Sequence, residues 1–191
     1  YRLERVLGRG GMGAVYLARQ EEPIDRVVAL KLMTGGGMSP SVLQRFALEQ
    51  RLLGQVDHPH IAKVLDAGRT DDGQPYFVLE YVAGEAITDY CTQHDLDLCE
   101  RLAVFLQVCQ AVDHAHRRGI IHRDLKPSNI LVARQDGRPV VKVIDFGIAR
   151  AIEEEAAMAS FATLDGHVLG TPQYMSPEQA RGERTRIDTR S

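Results

Sequence analysis

The stretch HRDLKPSN at 122–129 decides how this chain is read, because it sets an acid, a base, an amide and a proline at spacings that phosphoryl transfer can use. Asp124 can accept a proton from a hydroxyl nucleophile, Lys126 can reach the group being moved, and Asn129 can hold a divalent cation through its amide oxygen. Alone, such a run is also what a polar surface loop looks like. The residues downstream argue against that. Sixteen residues after Asn129 comes Asp145, in DFG at 145–147, directly after an apolar run at 140–144 broken only by Lys142 and read as a strand. A carboxylate at a strand end is fixed by the sheet and left accessible by the loop, and a hard oxygen ligand facing Asn129 would complete a magnesium site.

Composition permits this chemistry without demanding it. The 191 residues, 44% hydrophobic and 26% charged, suit one globular domain with a real core. A formal net charge of -3 offers no basic surface that would make nucleic acid the main partner. The acidic triplet Glu153, Glu154 and Glu155 reads as a solvated run rather than a metal cluster. Cys91, Cys99 and Cys109, spaced by eight and ten, fit neither a zinc nor a disulfide pattern and point to a reducing compartment, so a cytoplasmic location is expected. No apolar run reaches membrane-span length and no secretory signal opens the chain, so any membrane anchor is expected outside it. The first residue is Tyr1 rather than methionine, which suggests an excerpt from a longer product.

Two unlike halves follow from the patterning. The first is mainly strands, expected at 1–7, 14–19, 27–33, 61–67 and 76–81, separated by Gly, Pro and Asp turns. One helix interrupts them at 41–56, where Val42, Phe46, Leu53 and Val56 recur at helical spacing and Glu49 fills a gap on that face. A carboxylate in an apolar stripe needs a partner. Arg45 would make a surface pair of little worth, whereas Lys31, which ends VALK at 28–31 among apolar neighbours, is the better candidate. A lysine merely snorkelling from a strand edge would leave the glutamate unexplained.

The glycines Gly8, Gly10 and Gly13 fall between the first two strands and so at a hairpin tip. A GxGxxG run also marks dinucleotide folds, but there the glycines lead into a helix, and here a second strand follows. Glycine lets backbone N–H groups approach phosphate oxygens without a Cβ in the way. In the second half a long amphipathic helix starts at Asp97, runs through Leu98, Leu102, Phe105, Cys109, Val112 and His116, and stops at Gly119. That stripe is expected to face the core, which leaves Cys109 and His116 structural. A hairpin over 130–144 follows, turned by Asp136 and Gly137.

The octapeptide, the DFG at this distance, and VALK with Glu49 eighteen residues on together resemble the catalytic core of the protein kinases. MSPEQA and the loop GRGGMGAVY are most similar to bacterial serine/threonine kinases of eukaryotic type. The resemblance implies an α+β, bilobal protein-kinase-like fold. Residues 1–81 would form a small antiparallel-sheet N-lobe with one helix, and residues 82–191 part of a mainly helical C-lobe. It further implies ATP and Mg²⁺ in a crevice between the lobes. Lys31, fixed by Glu49, would hold the α and β phosphates, Lys126 would steady the moving group, Asp124 would orient the acceptor hydroxyl, and Asn129 with Asp145 would hold the metal. Leu7, Gly8, Gly10, Gly13, Val15, Ala29, Glu80, Val82 and Leu131 would line the nucleotide. Of these, Glu80 and Val82 would offer backbone hydrogen bonds to the adenine edge, and Leu79 would gate the deeper pocket.

By the same resemblance, residues 145–178 enclose the segment that kinases use to sense activation and hold substrate. Thr171 would contact the catalytic Asp124 and Lys126, which suits serine or threonine acceptors on protein substrates. Arg123, beside the base, marks kinases whose segment is ordered by phosphorylation, and Ser160 and Thr163 are the candidate autophosphorylation sites. The expected activity is transfer of the ATP γ-phosphate to Ser/Thr hydroxyls of proteins in bacterial signalling. One alternative is an inactive, truncated or pseudokinase-like regulatory module; another is a small-molecule phosphotransferase of the same fold, which would not be expected to carry the threonine and SPE of 170–178. The family would continue past RIDTRS at 186–191 into a central helix, so 1–191 is expected to be an incomplete catalytic domain, inactive or poorly folded by itself, with the apolar faces of the 97–117 helix and of the activation segment left without their packing partners.

Overall fold

The computed structural model describes residues 1–10, 13–33, 56–146, 172–181, 183 and 186–190. They fall into two compact units, the first spanning Tyr1–Asp57 and Ala62–Val82, the second His58–Ile61 and Ala83–Ser191.

Unit one is a five-stranded antiparallel sheet of β1 (Arg2–Gly10), β2 (Gly13–Gln20), β3 (Arg26–Met33), β4 (Val64–Arg69) and β5 (Pro75–Glu80), ordered β1-β2-β3-β5-β4. The turn from β2 to β3 is tied by Arg19, which donates twice to Asp25 at 2.7 and 2.6 Å. Beside it the buried Gln20 accepts from Arg26 Nε at 2.7 Å and donates to Glu22 O at 2.9 Å. On β3, Ala29 lies opposite Leu17 and Leu79, and Lys31 opposite Val15 and Phe77. Side chains alternate with period two, so Val15, Ala29, Lys31, Phe77 and Leu79 share one face. The other face carries a buried cluster of Ala18, Val28, Leu30 and Val78, flanked by Leu32, Leu65 and Tyr76. The helix expected at 41–56 lies outside the described residues except for Val56, which is buried.

The strand expected at 61–67 begins instead at Val64. Ile61 belongs to the second unit: a turn in which its N–H donates to His58 O at 3.1 Å diverts it, and within that unit it bridges Val143 in parallel. Burial is the reason, since Ile61 is 3% exposed there.

Unit two comprises β6 (Glu85–Ala86), α1 (Ile87–Gln93), α2 (Leu98–His116), β7 (Ile130–Gln135), β8 (Arg138–Val143) and the short α3 (Pro177–Ala180), with the three strands ordered β6-β7-β8. The start of α2 is a capping box: Asp97 accepts from Glu100 N at 2.8 Å while Glu100 accepts from Asp97 N at 2.9 Å. Such a cap contributes about 1 kcal/mol. Its exit is the left-handed Gly119, with Ile120 N donating to Ala115 O at 3.0 Å. Asp136 and Gly137 both have positive φ, which suits the two-residue hairpin between β7 and β8.

The two apolar stripes of α2 differ in cover. Leu98, Leu102 and Phe105 are 72%, 57% and 55% exposed among the described residues, and Cys109 is exposed as well. The buried face is Val104, Val108, Ala111 and Ala115, and α2 packs against β8. Both stripes have helical spacing, and the one of larger side chains is the face expected to lack its packing partner in these 191 residues. The smaller residues let the helix lie close to the strand. Gln107 sits on this side and works as a surrogate strand, accepting from Val141 N at 3.0 Å and donating to Pro139 O at 3.2 Å. His60 extends the same edge by accepting from Val143 N through its carbonyl at 2.8 Å. The open side of β8 is thereby satisfied by a helix side chain and a loop backbone, as an edge strand requires.

Candidate active site

Unit one contributes the strand-borne candidates. Lys31 is 5% exposed on β3, on the same sheet face as Val15 and Ala29, while the apolar cluster occupies the opposite face. Leu7 falls at the irregularity between Val6 and Gly8 where β1 slips against β2. The three glycines differ in what the fold asks of them. At Gly13, with φ +143°, a Cβ would run into the carbonyl oxygen of Leu32, so the fold itself requires glycine. At Gly8 and Gly10 a Cβ would meet nothing within 4 Å, so the bare backbone there leaves open space. Glu80 has its N–H engaged by Lys63 O at 2.9 Å and its carboxylate by Lys63 N at 3.1 Å. Val82, half-buried, closes the unit. Glu49 lies outside the described residues, as do Ser160, Thr163 and Thr171.

Unit two gathers Asp124, Lys126, Asn129 and Asp145 at one end of the β7–β8 hairpin. Ile130 pairs with Val143, and Ile144 N donates to Asn129 O at 2.9 Å, so the residue before β7 and the residues after β8 lie side by side. A short 3₁₀ turn at Pro127–Asn129 brings the chain into β7, with Asn129 N donating to Lys126 O at 2.9 Å. Lys126 Nζ sits 2.8 Å from Asp124 Oδ2, and both side chains are mostly covered. The buried Asn129 donates through Nδ2 to Asp124 O at 2.8 Å and to Asp124 Oδ2 at 3.2 Å. With its nitrogen so engaged, the amide has its oxygen to offer a cation. On β7, Leu131 is half-buried and alternates with the buried Ile130 and Val132.

His122, 3% exposed, organises this loop from below. Asp124 N donates to its Nδ1 at 3.3 Å, so the proton sits on Nε2, which donates to Ile144 O at 3.0 Å. Its ring lies 4.7 Å from that of Phe146. Burial pushes the imidazole below its usual pKa, although the hydrogen bond to Ile144 and the carboxylates of Asp145 and Asp124 pull the other way. A neutral ring suits both contacts, one donated and one accepted. Arg123 and Asp145 have φ of +63° and +62°, a conformation uncommon for residues with a side chain.

Sequence reasoning did not single out Gln179. Ser176 and Gln179 form the capping box of α3, and Gln179 Nε2 also donates to Arg123 O at 2.8 Å, across 56 residues. The S-x-x-Q pattern could have shown the cap, but nothing in the chain order could have shown the long-range bond.

The donor chemistry fits magnesium. Asp145 and Asn129 supply hard oxygens from adjacent positions, and such sites commonly use one or two protein ligands with water and phosphate oxygens completing the shell. Among the described residues, no group of three or more His, Cys, Asp or Glu is placed to hold a metal ion, so a site built wholly from such side chains is not found.

A sheet unit with a buried lysine and a helical unit with a carboxylate–lysine–amide loop are the two halves of a kinase-type phosphotransferase fold. The protein kinase domain model matches residues 1–190, and the chain belongs to that family. It is 41% identical, over all of its length, to the serine/threonine-protein kinase pkn3 of Myxococcus xanthus, of which it covers 35%. It is likewise 39% identical to the serine/threonine-protein kinase PknB of Mycobacterium tuberculosis, covering 30% of that protein. The crystal structure of the M. tuberculosis PknI kinase domain matches 98% of this chain with a TM-score of 0.70 at 29% identity, and the match covers 65% of that domain. The chain thus spans about a third of the length of the curated relatives it matches. Among the described residues no helix is long and apolar enough to cross a membrane.

Proposed function

We propose that the protein containing this chain is an ATP-dependent protein kinase that phosphorylates serine or threonine hydroxyls, with Asp124 as the group that orients and deprotonates the acceptor. The observation that carries this is the Asp124–Lys126–Asn129 cluster, in which the carboxylate Oδ2 of Asp124 meets an ammonium at 2.8 Å and an amide N–H at 3.2 Å, the same amide also donating to the main-chain oxygen of Asp124 at 2.8 Å. In water-poor surroundings such a carboxylate is fixed in one orientation, which a base must have to meet a hydroxyl at hydrogen-bond distance. Lys126, already beside Asp124, can place its positive charge on the phosphoryl oxygens as negative charge spreads over them. Asn129 and Asp145 would hold magnesium, which when bound neutralises phosphate charge. Lys31 would hold the α and β phosphates, fixed by Glu49. The open space beside Gly8 and Gly10 leaves their main chain approachable by a phosphate. Val15, Ala29 and Leu131 would cover the adenine, Leu7 would lie over it, and the backbone at Glu80 and Val82 would read its edge.

Autophosphorylation at Ser160 or Thr163, read by Arg123, and a cytoplasmic site of action in bacterial signalling belong to the same proposal. The division into an N-lobe at 1–81 and a partial C-lobe at 82–191 belongs to it as well. Radiolabelled ATP offered to the full-length protein with a generic protein substrate tests the activity. Label on serine or threonine is expected, and its loss in Asp124→Asn with nucleotide binding retained. A protein that binds ATP without transferring it would instead be a regulatory pseudokinase.

A further inference from the structure

We infer that Gln179 is a positioning residue for the base, latching the segment around α3 to the peptide group that carries Asp124. The inference rests on the reading of Asp124 given above. The peptide between Arg123 and Asp124 is gripped at both ends: its oxygen accepts from Gln179 Nε2 at 2.8 Å, and its N–H donates to His122 Nδ1 at 3.3 Å. Two handles on one planar group fix its rotation, and with it the direction in which the Asp124 side chain leaves the backbone. Such a grip is needed here, because Arg123 has φ +63°, and a non-glycine residue keeps that conformation only where its surroundings over-determine it.

The chemistry of Gln179 leaves one orientation for its amide. Its oxygen accepts from Ser176 N at 3.0 Å, closing the capping box, and only the nitrogen can then donate to a carbonyl. The two handles also come from different places. His122 is anchored to the end of β8 through Ile144 O, whereas Gln179 stands on α3 in the 172–181 stretch, 56 residues along the chain from Arg123. A displacement of α3 would therefore release the oxygen end of the peptide while leaving its N–H end in place. A turn of the base would be felt at Asn129 as well, whose Nδ2 donates to Asp124 O and Oδ2.

Substitutions separate the latch from the cap. Gln179→Glu keeps an acceptor for Ser176 N but has no donor for Arg123 O; Gln179→Lys keeps a donor and loses the acceptor; Gln179→Met loses both. In the full-length protein, Q179E and Q179M are expected to lower kcat about 10- to 100-fold with KM for ATP unchanged, since small misplacements of reacting groups cost that much. Q179K is expected to retain most of the turnover while melting lower, as should Ser176→Ala, which removes the serine side of the cap alone. Wild-type kcat in folded Q179E would overturn the latch, as would a loss of turnover that follows melting temperature across the four variants. If Q179E does not fold, Q179K against Q179M decides, since both lack the cap and only the first can donate; equal turnover in those two overturns the inference. Failure of the functional reading looks different: the unaltered protein itself would transfer no phosphate, or Asp124→Asn would transfer it normally.

Discussion

In unit one, Val15, Ala29 and Lys31 stand where they do because three strands pair in one register, and a slip of one residue would turn all of them to the opposite face. In unit two, Asp124, Lys126 and Asn129 lie on a stretch that is not strand or α-helix, and single hydrogen bonds to named atoms hold it: His122 to Ile144 O, Asn129 to Asp124 O, Gln179 to Arg123 O. A ladder spreads its restraint over many equivalent bonds, so trimming one side chain leaves the register intact. A loop held by individual side chains loses a whole restraint with each one. The strand half is thus expected to tolerate conservative changes that the loop half does not.

The largest expected effect tests the loop half directly. Asp124→Asn should lower turnover by about 10²- to 10⁴-fold, the range a general base supplies, while calorimetric ATP affinity stays near that of the wild type. Retained turnover would break the assignment. Next in size, His122→Ala leaves the part-buried Asp124 N–H and Ile144 carbonyl without their partner and opens a cavity beside Phe146, so denaturant titration should show a loss of about 3 kcal/mol. Leu30→Val in the unit-one core should cost only about 1 kcal/mol by the same measurement.

Within unit one the glycines sharpen the contrast further. Gly13→Ala should destabilise by about 2 kcal/mol, because the new methyl meets Leu32 O in a backbone conformation that side chains rarely adopt. Gly8→Ala should leave stability within about 0.5 kcal/mol and act instead on KM for ATP. Equal melting of the two variants would refute the distinction.

The smallest effect is on pH. His58 accepts from His60 N at 3.2 Å through Nδ1, and its ring lies 4.7 Å from that of His114 and 5.4 Å from that of His60. Burial, then the neighbouring His114, His60, Arg118 and Lys142, holds its pKa below the usual 6.5. The unfolded chain therefore binds more protons than the folded one once pH falls to about 6.5 and below, and stability declines in that direction. His58→Asn keeps an acceptor for His60 N and cannot titrate, so its stability should fall less between pH 7 and pH 5.5 in parallel denaturation curves. An unchanged slope would remove His58 from the acid response.

Much of the strand half was open to a reader of the chain. Apolar alternation marked β2, β3 and β5 to within two residues of their observed ends, and Asp136-Gly137 marked the β7–β8 turn. The Asp97 cap and Gly119 bounded α2. The candidate loop was also visible, because its residue types are adjacent in sequence. Three features were not. That the stripe of Val104, Val108, Ala111 and Ala115 packs on β8 was not legible, because two stripes share helical spacing and only contact with β8 distinguishes them. Ile61 was given to β4 because its alternation continues into that strand, while its burial partner is Val143. Gln107 and Gln179 look like ordinary polar helix residues until the carbonyls they reach are known.

Sequence by itself determined the local elements and the chemical types available at the site, since periodicity, caps and turn residues act over a few positions and a motif such as HRDLKPSN keeps its groups together in the chain. Only the tertiary structure decided which helix face is covered, where the segment around Ile61 docks, and what holds the Arg123–Asp124 peptide from both ends. Those outcomes depend on pairing polar atoms and apolar surfaces far apart in the chain, and the energy of an unpaired buried group appears only after the distant partner has been brought beside it.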